Sequence, residues 1–283
     1  MKLWRSMLFV AANDPVRLGK VTSRGADAVI MDLEDAVAAE AKPQARVELA
    51  QHIAALRNQG SDLVVRINSP WEDAKEDIDA AVTEGLDALM IPKVECVESV
   101  APVAELIGEL ETQRGLPQGS IGIVALIESP LALKNLYEIA AHDRVIGLAL
   151  GTEDFSLELG VTPSPACLEL PSKLVALAAA SYGRMALAVP ISITVFGEIE
   201  KYREAASFGR AFGVTGAICI HPKQVQAANE VFGITEQERV EAEAIMAAWK
   251  LAQSEGRAVA SHDGKMIDLP VAERARRILE TPR

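Results

Sequence analysis

Two acidic residues, Glu128 and Asp154, each sit just beyond a short apolar run, 121–127 and 145–150. If those runs are adjacent strands, the carboxylates converge. Two carboxylates with waters and substrate oxygens suit Mg²⁺, which favours octahedral oxygen coordination. A salt bridge to Arg66 or Lys93 is the competing role. Arg66 is a fork-shaped donor that grips a carboxylate bidentately; pairing with Asp32 or Glu34 as scaffold is its alternative, and the two uses are compatible. Asp32-Leu33-Glu34-Asp35 puts three acids in four residues, which repel unless a cation lies near. They suit ordering Arg66 and metal-bound waters, against the plainer reading of a solvated loop. Lys93 offers a Schiff-base amine, an anion-binding group or a charge partner for Glu34 or Glu128. Nearby acids oppose the lowered pKa that imine chemistry needs, which favours the charge partner. His221 reads as an orienting hydrogen-bond donor rather than a base. No two histidines have metal-ligand spacing, and Ser129 lacks a nucleophile-elbow pattern, so neither a zinc site nor a hydrolase triad is expected.

Positioning these groups falls to eight continuous apolar runs, at 6–10, 28–33, 63–67, 88–91, 121–127, 145–150, 185–189 and 217–220. Continuous rather than alternating runs mark parallel strands covered on both faces. A helix opened by Asn13-Asp14-Pro15 follows the first run, and amphipathic stretches follow the others, at 42–57, 73–84, 97–113, 130–140, 165–182, 198–212 and 222–231. Strand–helix repeated eight times predicts a TIM (β/α)₈ barrel, and no glycine-rich dinucleotide loop supports the rival open sheet. Polar residues follow nearly every run, and in this fold strand ends form the active-site mouth. The barrel takes residues 1–232. Residues 233–283 form a C-terminal helical extension, a lid or an arm packed on a neighbouring subunit, with Thr235 and Glu238 as a capping box.

The 283 residues include 40 acids and 28 bases, a net charge of -12. That balance argues against nucleic acid or anionic lipid as partner. Three scattered cysteines read as free thiols in a reducing compartment. With no run long enough for a membrane span and no signal-peptide pattern, the expected location is the cytoplasm.

The strand-end residues fall within motifs that resemble the HpcH/HpaI aldolase family, in its citrate lyase β-subunit-like branch. They are Arg5-Ser6-x-Leu8-Phe9-Val10, Met31-Asp32-Leu33-Glu34-Asp35-Ala36-Val37, Lys42 with Ala45-Arg46, Arg66-Ile67-Asn68 and Ile91-Pro92-Lys93. Ile127-Glu128-Ser129-Pro130, Gly151-Thr152-Glu153-Asp154-Phe155, Cys219 to Val225 and Asp263-Gly264-Lys265-Met266-Ile267-Asp268-x-Pro270 complete the series in family order. The resemblance implies a TIM barrel, assembled as a homotrimer or hexamer, that cleaves or forms 3-hydroxy-acyl-CoA thioesters such as malyl-, citramalyl- or citryl-CoA. It implies substrate binding at Arg66, Mg²⁺ at Glu128 and Asp154, and a catalytic Asp268 lent by a neighbouring subunit. As read from the chain itself, Asp268 is a helix cap before Pro270. The chain departs from the family at Ala11-Ala12, where Pro-Gly is usual, in the stretch 188–192, and at Leu170-Pro171-Ser172-Lys173.

The expected reaction is a retro-aldol or retro-Claisen cleavage with Mg²⁺ on the oxygens of the 2-oxo or 2-hydroxy acid half and Arg66 on its carboxylate. Asp268 or a metal-ordered water takes the hydroxyl proton. Backbone N–H groups and Arg5 are the expected donors to the thioester enolate. The alternatives are a metal-dependent 2-oxo acid aldolase without CoA, and a non-catalytic subunit of a citrate lyase-like complex.

Overall fold

The computed structural model describes residues 3–281. Eight parallel strands form one sheet: β1 (Ser6–Ala11), β2 (Ala28–Asp32), β3 (Asp62–Arg66), β4 (Ala88–Ile91), β5 (Gly122–Ile127), β6 (Val145–Leu150), β7 (Met185–Leu187) and β8 (Ala217–Cys219). Their order is β7-β6-β5-β4-β3-β2-β1-β8. The seam between β7 and β8 is bridged just before β8, where Thr215 donates its N–H to Ala186 O and accepts from Ala186 N, both at 2.9 Å. The sheet is a nearly closed TIM-type barrel.

Side-chain parity divides the core in two. Met7, Ala28, Ile30, Val64, Ala88, Met90, Val124, Leu126, Ala149, Met185 and Leu187 fill the barrel interior. The alternate residues, among them Leu8, Val29, Met31, Leu63, Val65, Leu89, Ile123, Ala125 and Leu148, face outward against helices. Both faces are apolar, so the strands read as unbroken hydrophobic runs. Trp4 plugs the end where the strands begin, its indole N–H donating to Asp62 at 2.8 Å.

The helices are α1 (Pro15–Val21), α2 (Lys42–Arg57), α3 (Trp71–Ala81), α4 (Val97–Gln113), α5 (Pro130–Lys134), α6 (Leu136–Ala141), α7 (Thr152–Glu158), α8 (Pro165–Ser181), α9 (Ile199–Ala211) and α10 (Pro222–Phe232). Asp14 caps α1 by accepting from Arg17 N, with Pro15 at the first helical position. Two features depart from the sequence pattern. The helix expected over 130–140 breaks at Asn135, whose side chain instead donates to Glu95 O at 2.7 Å. The runs 185–189 and 217–220 are longer than β7 and β8, because apolar residues continue past the last ladder pairing.

The chain divides into two compact units, Met1–Phe232 and Gly233–Arg283. The second unit comprises α11 (Glu236–Ser254), β9 (Ala260–His262), β10 (Lys265–Ile267) and α12 (Leu269–Glu280). Thr235 and Glu238 cap α11 reciprocally. Asp263 and Gly264 both have positive φ, 47° and 73°, as the two central residues of a tight hairpin require. Trp249, Ala252, Ala260, Ile267 and Ala272 make its core. Among the described residues no helix is long and apolar enough to cross a membrane.

Candidate active site

Barrel parity aims the charged residues. Ala28 and Ile30 point inward, so Asp32 at the end of β2 does too; Val64 leads likewise to Arg66, and Val124 and Leu126 to Glu128. These side chains form the top layer of the interior, where the strands end. Asp32 and Arg66 are register partners on neighbouring strands. Arg66 donates through Nε to Asp32 Oδ1 at 2.7 Å and through Nη2 to Oδ2 at 2.6 Å. Its Nη1 lies 3.1 Å from both Glu34 and Asp35. The guanidinium stacks 5.0 Å above the Phe9 ring. Asp32 also accepts the N–H groups of Glu34 and Ala36, which folds the acidic segment back over the strand end. A solvated loop therefore describes only Asp35, for Asp32 and Glu34 are 2% and 8% exposed.

Glu128 follows β5, and α7 starts immediately after the neighbouring β6. Gly151 bonds back to Ile127 O at 2.9 Å, placing α7 over the end of β5. A Cβ on Gly151 would lie 2.5 Å from Glu128 Cγ and 2.7 Å from its Oε1, so only glycine lets the two strand ends approach. On the other side, Lys93 N–H donates to Glu128 Oε2 at 2.7 Å. Asp154, in the first turn of α7, shares two cavities with Glu128. The larger, about 590 Å³, also takes in Arg66, Asp32, Thr152 and Glu153, with Phe9, Ile193, Ile218 and Ile220 as an apolar arc. The smaller, about 320 Å³, adds Lys93, Glu95 and Ser129. Glu153 is turned aside to accept from Ser192 Oγ at 2.7 Å and from Thr152 Oγ1 at 3.2 Å.

Negative charge at this mouth is under-compensated. Burial, reinforced by the Asp154 and Glu34 charges, pushes the Glu128 carboxyl up to about 7, against the Lys93 N–H and Arg66. Burial likewise pushes Glu34 up to about 7, with Arg66 and Lys93 opposing and Asp35 and Asp32 adding to the rise. A buried carboxylate pushed up by its neighbours is a place where a cation relieves the fold. The donors are hard oxygens, which suits Mg²⁺, an ion bound through one or two carboxylates plus waters and substrate. No group of three or more His, Cys, Asp or Glu that could hold a metal occurs among the described residues.

One expectation needs correction. Arg5 precedes β1, so it lies at the opposite end of the barrel from the mouth, about 20 Å away at the usual rise per strand residue. There it grips Asp27 through Nε at 2.9 Å and Nη2 at 2.7 Å, and it cannot donate to a substrate in the mouth. His221 Nδ1 accepts from Lys223 N at 3.1 Å, and the ring stacks on Phe196. Ile220 lines the cavity that holds Glu128 and Asp154, while His221 lines a neighbouring one of about 660 Å³ with Arg17, Lys20 and Arg24. Asp268 caps α12, accepting from Val271 N at 3.1 Å. Lys93 Nζ lies 3.9 Å from Glu34, a charge partner as expected. The sequence gives no sign of the Gly151 and Lys93 backbone roles; the one available hint is that Gly151 stands between a strand and a helix start.

Residues 5–222 match the model of the HpcH/HpaI aldolase/citrate lyase family. The citrate lyase subunit beta of Leuconostoc mesenteroides subsp. cremoris is 35% identical over 284 residues, covering 99% of this chain and 93% of that one. A (3S)-malyl-CoA thioesterase of Cereibacter sphaeroides is 32% identical over 269 residues, covering 94% and 90%. Among solved structures, the protein CitE of Mycobacterium tuberculosis in complex with magnesium, acetoacetate and coenzyme A superposes with a TM-score of 0.71 at 30% identity, covering 97% of this chain and 96% of that one.

Proposed function

This chain belongs to the HpcH/HpaI aldolase/citrate lyase family, and from that premise we propose that it is a cytoplasmic, Mg²⁺-dependent carbon–carbon lyase acting on a 3-hydroxy-acyl-CoA thioester of the malyl, citramalyl or citryl type. The observation that carries this reading is the pair Glu128 and Asp154 on one cavity with Arg66, under-compensated in charge. Magnesium and coenzyme A are present in the similar Mycobacterium tuberculosis structure. A divalent cation held by Glu128 and Asp154 supplies Lewis-acid polarisation and neutralises charge as the bond changes.

Arg66, locked on Asp32, keeps a second Nη2 hydrogen for a substrate carboxylate. The arc of Phe9, Ile193, Ile218 and Ile220 receives the uncharged acyl portion. Arg17, Lys20 and Arg24 in the adjoining cavity suit the anionic end of a CoA thioester. Asp268, supplied by a neighbouring copy in a trimer or hexamer, takes the hydroxyl proton.

The test is product analysis by mass on a panel of the three thioesters, with Mg²⁺ and with EDTA. The expected result is metal-dependent release of a shorter acyl-CoA and a 2-oxo acid. Glu128→Ala should lose about 100-fold or more, roughly 3 kcal/mol of transition-state stabilisation. Full activity in that variant overturns the reading. A second reading, thioester hydrolysis, is favoured by the Cereibacter sphaeroides relative; free CoA thiol with the hydroxy acid left intact would mark it. Cleavage confined to free 2-oxo acid aldols would mark the CoA-independent aldolase, and activity only with an acyl-carrier partner would mark a complex subunit.

A further inference from the structure

β4 ends at Ile91, and the next residue, Pro92, has no N–H to continue the ladder to β3, on whose side Met90 O accepts from Ile67 N. Lys93 then adopts a left-handed backbone, φ 53°, one of two such non-glycine residues among those described. The other, Asp263, sits in a hairpin turn, where that conformation is ordinary. At Lys93 the turn has a different effect. It takes residue 93 out of the ladder and aims its N–H at Glu128 Oε2, 2.7 Å away. The ladder resumes one residue later, where Val94 N–H donates to Leu126 O at 3.1 Å. The Lys93 side chain is 56% exposed, so burial does not impose the conformation. Strained backbone of this kind persists where the surroundings over-determine it, often at functional sites.

Glu128 is thus held on two sides by backbone alone. Lys93 N–H fixes Oε2, and the missing Cβ of Gly151 leaves room for Oε1. We infer that Lys93 is a positioning residue whose left-handed peptide, rather than its ammonium group, sets the orientation in which Glu128 meets a divalent cation. The inference rests on the metal reading of Glu128 proposed above. Its chemistry is simple: a carboxylate with one oxygen tied to an N–H presents the other to a cation as a single directed ligand. A free carboxylate would first have to be ordered.

Three variants separate backbone from side chain. Lys93→Gly removes the ammonium but adopts positive φ freely and keeps the N–H. Lys93→Val keeps the N–H but disfavours positive φ through its branched Cβ, and Lys93→Pro can offer neither. The first readout is the position of Glu128 in crystals of the metal-free variants. The bond from residue 93 N to Glu128 Oε2 is expected to remain in Lys93→Gly and to be lost in Lys93→Val. The second readout is Mn²⁺ affinity by calorimetry on folded protein, checked by circular dichroism. Lys93→Gly is expected to bind within about two-fold of the parent, and Lys93→Val about 10–100-fold more weakly, as when a group that orients a ligand is removed. If Lys93→Gly displaces Glu128 or weakens Mn²⁺ as much as Lys93→Val does, the ammonium is the active feature and the inference is overturned. Parent protein that binds no Mn²⁺ defeats the metal reading instead, and the crystals still decide what holds Glu128.

Discussion

Where the strands begin, Arg5 meets Asp27, Arg57 meets Asp87, and Arg144 meets the fully buried Glu111. Where they end, Asp32, Glu34, Asp35, Glu128, Glu153 and Asp154 gather around Arg66, Lys93 and Arg17. The same residue types are in opposite states. Burial works to raise Glu111, yet Arg144 and the Ile121 and Gly119 N–H groups hold it below the ordinary carboxylate range. Glu34 and Glu128 are driven the other way, to about 7. The acids at the first end each meet an arginine and serve stability. Those at the mouth are left under-compensated, which folding does not reward. A ligand that supplies positive charge explains their retention, in keeping with active sites at the C-terminal ends of barrel strands.

The sharpest way to break this contrast is Glu111→Ala. It leaves the partly buried Arg144 guanidinium with the Ile121 carbonyl but no carboxylate, and about 3 kcal/mol of stability should go, read from chemical denaturation. Mn²⁺ affinity of the protein that remains folded should be unchanged; a parallel loss would mean that the two ends are not independent.

A smaller effect of opposite sign is expected at the mouth. Metal-free protein keeps protons on Glu34 and Glu128 up to about pH 7, whereas the unfolded chain gives them up near 4.5. The folded state binds more protons across that window, so these two groups drain stability as pH rises through it. Glu128→Gln removes one of them. It should raise the stability of metal-free protein at pH 8 by about 1–3 kcal/mol, shown by melting curves, with little change at pH 4. A variant less stable than the parent at pH 8 would show that Glu128 is already compensated.

Least affected should be Arg5→Ala. Its half-exposed pair with Asp27 is worth about 1 kcal/mol or less. Turnover and Mn²⁺ affinity should match the parent. A selective loss of turnover would return Arg5 to the chemistry and remove the distinction between the ends.

Much of this could be read in advance. The apolar runs locate all eight strands, because a parallel strand covered on both faces carries its burial in its own composition. They overshoot β7 and β8 because apolarity reports burial, and residues such as Ala188 and Val189 stay buried beyond the last paired residue. The short α7 is not visible, since Thr152-Glu153-Asp154 reads equally well as loop. Arg5 shows that residue type alone misleads: it is a fit donor, yet it precedes its strand, and position assigns it to the other end.

What the sequence determined by itself is the order of the strands and the parity that carries Asp32, Arg66 and Glu128 inward, because both are local properties of a pleated chain. Tertiary structure alone decided which acid each cation would meet, that Gly151 must yield space to Glu128, and that Lys93 would turn its N–H toward it. Those outcomes join residues tens of positions apart, and the energy of a carboxylate depends on how much water and which charges the finished fold leaves around it.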